Sequence, residues 1–157
     1  MKYILSLIVE NKHGVLAKVS QVITGRGYNI QSLSVGPSEH SDTSRMIIVF
    51  DCDERIVEQV MKQMNKLIDV IKISLISHDE KVERELLLIR IMRKKENDEA
   101  IIRTIKIFRG KIVDMTPKSF VVEVTGNVRK IDAFIENIRP YGIQELMRTG
   151  PLALPRG

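Results

Sequence analysis

The sequence predicts an α+β protein built of two βαββαβ units with antiparallel sheets. Short apolar segments alternate with helical stripes, the order strand, helix, strand, strand, helix, strand is completed twice, and each pass uses about half of the 157 residues. The repetition is one of pattern; the two passes share no residue string.

Residues 3–9 are short, apolar and rich in β-branched types, which suits a strand buried on both faces. After the turn at 11–14, Val15, Leu16, Val19, Val22 and Ile23 fall on one side of a helix, and Gly25 and Gly27 punctuate its end. Residues 30–35 alternate, with Leu33 and Val35 on one face and Ser32 and Ser34 on the other, as a half-buried strand does. A polar turn at 36–43 leads to an apolar strand at 46–50. Ile56, Val57, Val60, Met61, Met64 and Leu67 form a second helical stripe, with Asp53 at the N-cap position. Ile71, Ile73 and Leu75, alternating with Lys72 and Ser74, close the unit. This is the split βαβ, or ferredoxin-like, order.

A polar stretch at 77–81, which includes His78, separates this first domain, 1–77, from a second, 82–157. There the order recurs: a strand at 86–92, a helix with Ile101, Ile102, Ile105 and Phe108 ending before Gly110, and two strands at 111–115 and 120–124. Val128, Ile131, Phe134, Ile135 and Ile138 mark the fourth helix, and 143–147 the last strand. Units this small have marginal cores, so docking onto each other or onto another chain is expected, and with it a homodimer. The tail at 150–157, with two Pro and two Gly, is expected to be extended or loosely held.

Composition narrows the function. No apolar run approaches a membrane span, and Met1-Lys2-Tyr3 leads into the first strand without a cleavage signal, so a cytoplasmic protein with no membrane partner is expected. One cysteine, Cys52, and three scattered His give no metal-ligand spacing and no C-x-x-C. Residues 1–80 carry nine basic and ten acidic side chains, whereas 81–157 carry sixteen and ten, which makes the second half a candidate docking surface. Aromatic residues are only 4%, without Trp, and the octapeptide of RNA-recognition modules is absent, so no nucleic-acid partner is expected. His13, His40 and Cys52 have no partner at catalytic spacing, and neither dinucleotide nor triphosphate glycine motif occurs. No catalytic residue is assigned.

The chemistry lies at two turns. Glu10-Asn11-Lys12-His13-Gly14-Val15-Leu16 joins the first strand to the first helix, where unpaired backbone N–H groups and the positive end of the dipole suit a small carboxylate. Asn11 can cap the helix, or its amide can donate to a carboxylate and accept from an ammonium. Asn29, entering the second strand, has the same capacity. As residue types alone, Asn11, Gly14 and Asn29 are equally ordinary turn residues.

The strings E-N-x-x-G-x-L at 10–16, R-G-Y-N-I-x-S-L-x-V at 26–35 and S-R-M at 44–46 resemble those of the small, regulatory subunits of acetolactate synthase (acetohydroxyacid synthase). The resemblance continues through V-E-R-E at 82–85, I-F-R-G-K-I-V-D at 107–114, D-A-F at 132–134 and R-T-G at 148–150, and so covers both halves. It implies an N-terminal ACT domain, a chain without catalysis or cofactor of its own, and a large catalytic partner that carries thiamine diphosphate, Mg²⁺ and FAD. It also implies activation of that partner, feedback inhibition by valine in branched-chain amino acid biosynthesis, and an effector site between two ACT domains. The turn at 11–14 of one chain would there meet the strand at 29–35 of its mate. Valine needs N–H donors, an oxygen acceptor and a dry pocket; backbone at Gly14 and Val15, the amides of Asn11 and Asn29, and walls from Leu16, Ile30, Leu33 or Val35 are the candidates. Leu33 and Val35 can instead be core. An ACT-domain sensor acting on a different enzyme is the alternative.

Overall fold

The structure, a computed structural model, describes residues 1–76 and 80–157. Ser77 and His78, in the polar stretch expected to separate the two halves, lie outside the described residues. The chain divides into two compact units, one of Met1–Val82 with Leu152–Gly157 and one of Glu83–Pro151.

In the first unit the strands are β1 (Lys2–Glu10), β2 (Ile30–Pro37), β3 (Thr43–Asp51) and β4 (Val70–Ile76), and the helices α1 (Val15–Thr24) and α2 (Glu54–Asn65). The antiparallel sheet has the order β2-β3-β1-β4, so β2 and β4 form its edges. Because side chains alternate along a strand, the register that sets Leu7 against Met46 and Ile73 gathers Leu5, Leu7, Val9, Met46, Ile48 and Phe50 on one face. Val15, Val19 and Ile23 of α1 and Val57, Val60 and Met64 of α2 close over that face, burying the stripes read from the sequence. Asp53 stands at the N-cap of α2 in extended conformation, yet its carboxylate makes no capping bond.

On the other face, Ile4, Ile47, Val49 and Ile76 form a smaller cluster closed by Ala153, which is 3% exposed. Of the two forms expected for the tail, extended or loosely held, it takes the extended one and is anchored. Residues Leu152–Pro155 form a strand, β9, that pairs with the beginning of β5 (Lys81–Met92), and the Arg156 N–H donates to the Glu80 carbonyl at 2.8 Å. The two prolines flank a three-residue Leu-Ala-Leu segment whose alternation buries the small central residue and leaves Leu152 and Leu154 outside. Proline suits this short strand because it removes a donor only at the segment's ends.

The second unit adds to β5 the helices α3 (Asp98–Ile107) and α4 (Val128–Ile138) and the strands β6 (Lys111–Met115), β7 (Ser119–Gly126) and β8 (Ile143–Arg148), in the sheet order β6-β7-β5-β8. Leu87, Ile89, Ile91, Phe120, Val122 and Val124 face Ile101, Ile105, Ile131, Phe134, Ile135 and Ile138. Asn127 caps α4, accepting from the Lys130 N–H at 2.9 Å. In the I-F-R-G string the left-handed residue is Arg109, at φ 55°, while Gly110 is needed for space: a Cβ there would meet Val124 Cγ2 at 3.1 Å and Ile105 Cγ2 at 3.2 Å.

Glu85 of β5 is buried, with its carboxylate gripped by Arg148 of β8: Nε to Oε1 at 2.6 Å and Nη2 to Oε2 at 3.1 Å, while Nη1 reaches Asp132 of α4 at 2.7 Å. The hydrogen bonds to Glu85 raise the guanidinium pKa further above its ordinary value. Two predictions follow from these contacts, both read by urea unfolding. Ala153→Glu should destabilise the first unit by roughly 2 kcal/mol, the cost of burying a polar group or of releasing the tail, whereas Leu154→Glu should change stability by less than about 0.5 kcal/mol. Arg148→Met strands a buried carboxylate and should cost about 3–5 kcal/mol; the double change Glu85→Met with Arg148→Met should cost less than the single one.

Candidate functional site

β1 ends at Glu10, paired with Thr43, and the chain turns at once: the Asn11 N–H donates to the Asp42 carbonyl at 2.9 Å and the Lys12 N–H to the Glu10 carbonyl at 2.9 Å. Gly14 then enters α1 as its N-cap with φ +84° and ψ −4°, and its carbonyl accepts the first helical bond, from the Lys18 N–H at 3.2 Å. A left-handed residue at this point is what glycine permits and side chains resist. No side-chain oxygen caps the helix, so Asn11 is not its cap, contrary to one of the two roles its position offers. The reason is distance along the chain: three residues separate Asn11 from the residue that starts the helix. The N–H groups of the first turn are thus left for solvent or a ligand. Around Gly14 there is open space: beyond its neighbours along the chain, nothing lies within 4 Å of where a Cβ would stand.

The charges beside this turn are paired. Lys12 Nζ lies 2.7 Å from Glu10 Oε2, an ion pair that raises the lysine pKa, and Lys18 Nζ donates to Asp69 Oδ2 at 2.9 Å, which lowers the Asp69 pKa. A carboxylate arriving at the helix N-terminus would therefore meet backbone donors in a neutralised surround. The Lys18–Asp69 pair is a contributor that no local string in the sequence signals, since 51 residues separate its members.

Of the candidate wall residues, Val15 is 3% exposed and belongs to the core, so only its backbone is available; Leu16 is 44% exposed. Ile30 and Leu33 are half-buried against the core, while Val35, on the same face of β2 as Leu33, is 47% exposed. Leu33 is thus a core residue in the main, and Val35 is the one of the two open to a ligand. Asn11 and Asn29 are both exposed. Arg45 of the S-R-M string lies on the opposite face of the sheet, donating to Ser6 Oγ at 3.2 Å and standing 3.6 Å from Glu39.

A single chain does not bring these residues together. Ile30 pairs with Phe50 and Pro37 with Ser44, whereas Glu10 pairs with Thr43. Gly14, Leu16 and Val35 therefore lie toward one end of the sheet and Asn29 and Ile30 toward the other, separated by roughly 20 Å of extended strand. Among the described residues no group of three His, Cys, Asp or Glu stands together as metal ligands would. Cys52 is buried, and burial raises its thiol pKa, which marks it as inert.

The class of protein that this fold and turn define is that of the ACT-domain proteins. Residues 5–72 match the family described as the AHAS small subunit-like ACT domain, and residues 84–157 match that described as the small subunit of acetolactate synthase. The chain belongs to the family of acetolactate synthase small subunits. It is 50% identical to a probable acetolactate synthase small subunit of Archaeoglobus fulgidus over 100% of this chain and 98% of that protein, and 40% identical to the acetolactate synthase isozyme 3 small subunit of Escherichia coli, covering 100% and 97%. Among solved structures, the acetolactate synthase small subunit from Thermotoga maritima superposes with a TM-score of 0.92 at 36% identity, covering 100% of this chain and 98% of the other.

Proposed function

We propose that this chain is a non-catalytic regulatory subunit that binds a large catalytic subunit of acetolactate synthase, raises its activity and makes it sensitive to valine. The reading is supported by the match to small subunits along the full length of both units. Thiamine diphosphate, Mg²⁺ and FAD would be carried by the large subunit, and the assembly would work in the cytoplasm on branched-chain amino acid biosynthesis. The domains are taken as 1–77 for effector binding and dimerisation and 82–157 for the regulatory second unit.

The effector site carries on one observation: the N-terminus of α1 opens on a left-handed glycine, uncapped, at one end of an edge strand. A two-fold axis beside β2 would run two copies of that strand antiparallel. The Gly14 end of one chain then meets the Asn29 end of its mate, which brings together what one chain keeps apart. Backbone N–H groups after Gly14 would receive the valine carboxylate, and the amide oxygens of Asn11 and Asn29 its ammonium. Leu16 and Val35, exposed in the single chain, and Ile30 would enclose the isopropyl group, with Leu33 behind them.

Feedback is then a matter of linkage. Valine changes the large subunit's activity only by the difference of its affinities for two arrangements of the complex, and a coupling of 1–3 kcal/mol would suffice for a 5–150-fold effect. Gly14→Asp places an anion and a strained left-handed side chain where the carboxylate should sit. With purified large subunit, acetolactate formation should still be stimulated by this variant while valine inhibition is lost. Full valine sensitivity in the variant would refute the site, and absence of stimulation by the wild-type chain would refute the partnership and favour control of a different enzyme.

A further inference from the structure

The R-G-Y-N-I string contains residues that the effector site does not use, and one of them is charged. Arg26, just past the end of α1, lines an open recess of about 520 Å³ together with Gln59, Lys62, Gln63, Asn65 and Lys66. Residues 59, 62, 63 and 66 stand at offsets of three and four along α2 and so share one side of that helix. Arg26 Nη1 reaches across to Gln59 Oε1 at 3.1 Å. The lining therefore holds three cations, three amides and no carboxylate.

Among the described residues none of the three cations has an anionic partner, which is equally so of Arg55 and Lys72 in the same unit; what sets the three apart is that they line one recess. Lys12, Lys18, Arg90, Arg93, Arg139 and Arg148 each stand within 4.0 Å of a carboxylate, but among the described residues none lies within that distance of Arg26, Lys62 or Lys66. General basicity does not explain the cluster, because residues 1–80 carry one more acidic than basic side chain. Lysines in the last turn of α2 offset the negative end of the helix dipole, which accounts for Lys62 and Lys66 but not for Arg26 or the amides.

We propose that this recess is a docking surface for an acidic segment of the large catalytic subunit, an assignment that rests on the partnership proposed above. A compact phosphate is the poorer occupant. The recess lies beside the carbonyl end of α2, where Gln63 and Met64 carbonyls accept from the Lys66 N–H, and a helix C-terminus disfavours concentrated negative charge. Separate Asp and Glu side chains can each meet one cation, while Gln59, Gln63 and Asn65 donate to and accept from the intervening peptide groups. Complementary charge of this kind sets partner choice and association rate, and its effect fades with salt.

The test compares affinities of the full-length chain for purified large subunit at low and high NaCl. Lys62→Glu with Lys66→Glu should weaken binding about 10-fold or more at low salt and flatten its salt dependence. Lys94→Glu with Lys95→Glu, an equal charge change in the basic second unit, should stay within about 2-fold of wild type. Thermal midpoints check folding, and Arg26→Gln with Lys62→Gln, expected to weaken binding about 3-fold or more, replaces the reversal if that variant does not fold. The proposal is overturned if the 62/66 reversal binds like wild type, or if the 94/95 reversal weakens binding as much or more. It is also overturned if inorganic phosphate saturably shifts the amide resonances of residues 62–66 without competing with the large subunit. A wild-type chain that binds no large subunit would instead defeat the partnership itself.

Discussion

An edge strand leaves one row of its N–H and C=O groups without a partner in its own sheet, and this constraint governs how the first unit can be used. β2 is such a strand. It pairs with β3 on one side only, its alternation gives Leu33 to the core, and it leaves Val35 largely outside. A long exposed edge is a liability unless something covers it. The occupant proposed here is the same strand of a second copy, which would extend the sheet and create the effector site in one step.

That arrangement explains why residues so ordinary could form a receptor. Gly14 supplies a backbone conformation, Asn11 and Asn29 supply amides, and none is perturbed, buried or charged. Their value would come from juxtaposition across a two-fold axis, so the site would exist only in the associated state. Binding would then favour association and association would favour binding, by reciprocal linkage. Such a site can report ligand to a partner without any chemistry of its own, because the bound zwitterion would fix the relation between two chains.

The fold was readable because period and burial agree. The stripe at 56–67 became α2, buried through Val57, Val60 and Met64, and the hairpin around 116–119 became β6 and β7 with nearly the expected bounds. What could not be read depended on contacts distant in sequence. The tail's prolines left an extended and a loosely held end equally open, and what decides for the first is that Ala153 fits a gap among Ile4, Ile47, Val49 and Ile76, residues that meet only once the sheet is formed. In the same way, Glu85 stands just before the strand expected at 86–92, and its burial within β5 is intelligible only beside Arg148, 63 residues later. At the candidate site the turn was legible, since glycine before a helical stripe points to an unusual backbone. The separation of Asn29 from Gly14 was not, because strand register, set by β3, decides which end of the sheet each one occupies.

The measurement that bears most directly on the two-chain site is valine binding by mixed dimers, formed by exchanging chains between a Gly14→Asp homodimer and an Asn29→Ala homodimer. If each site takes its turn from one chain and its strand from the other, neither parent binds, but the mixed dimer regains one intact site of near wild-type affinity for every two chains. If each site is built within one chain, the mixed dimer is as inert as its parents, and the proposed two-chain site is wrong.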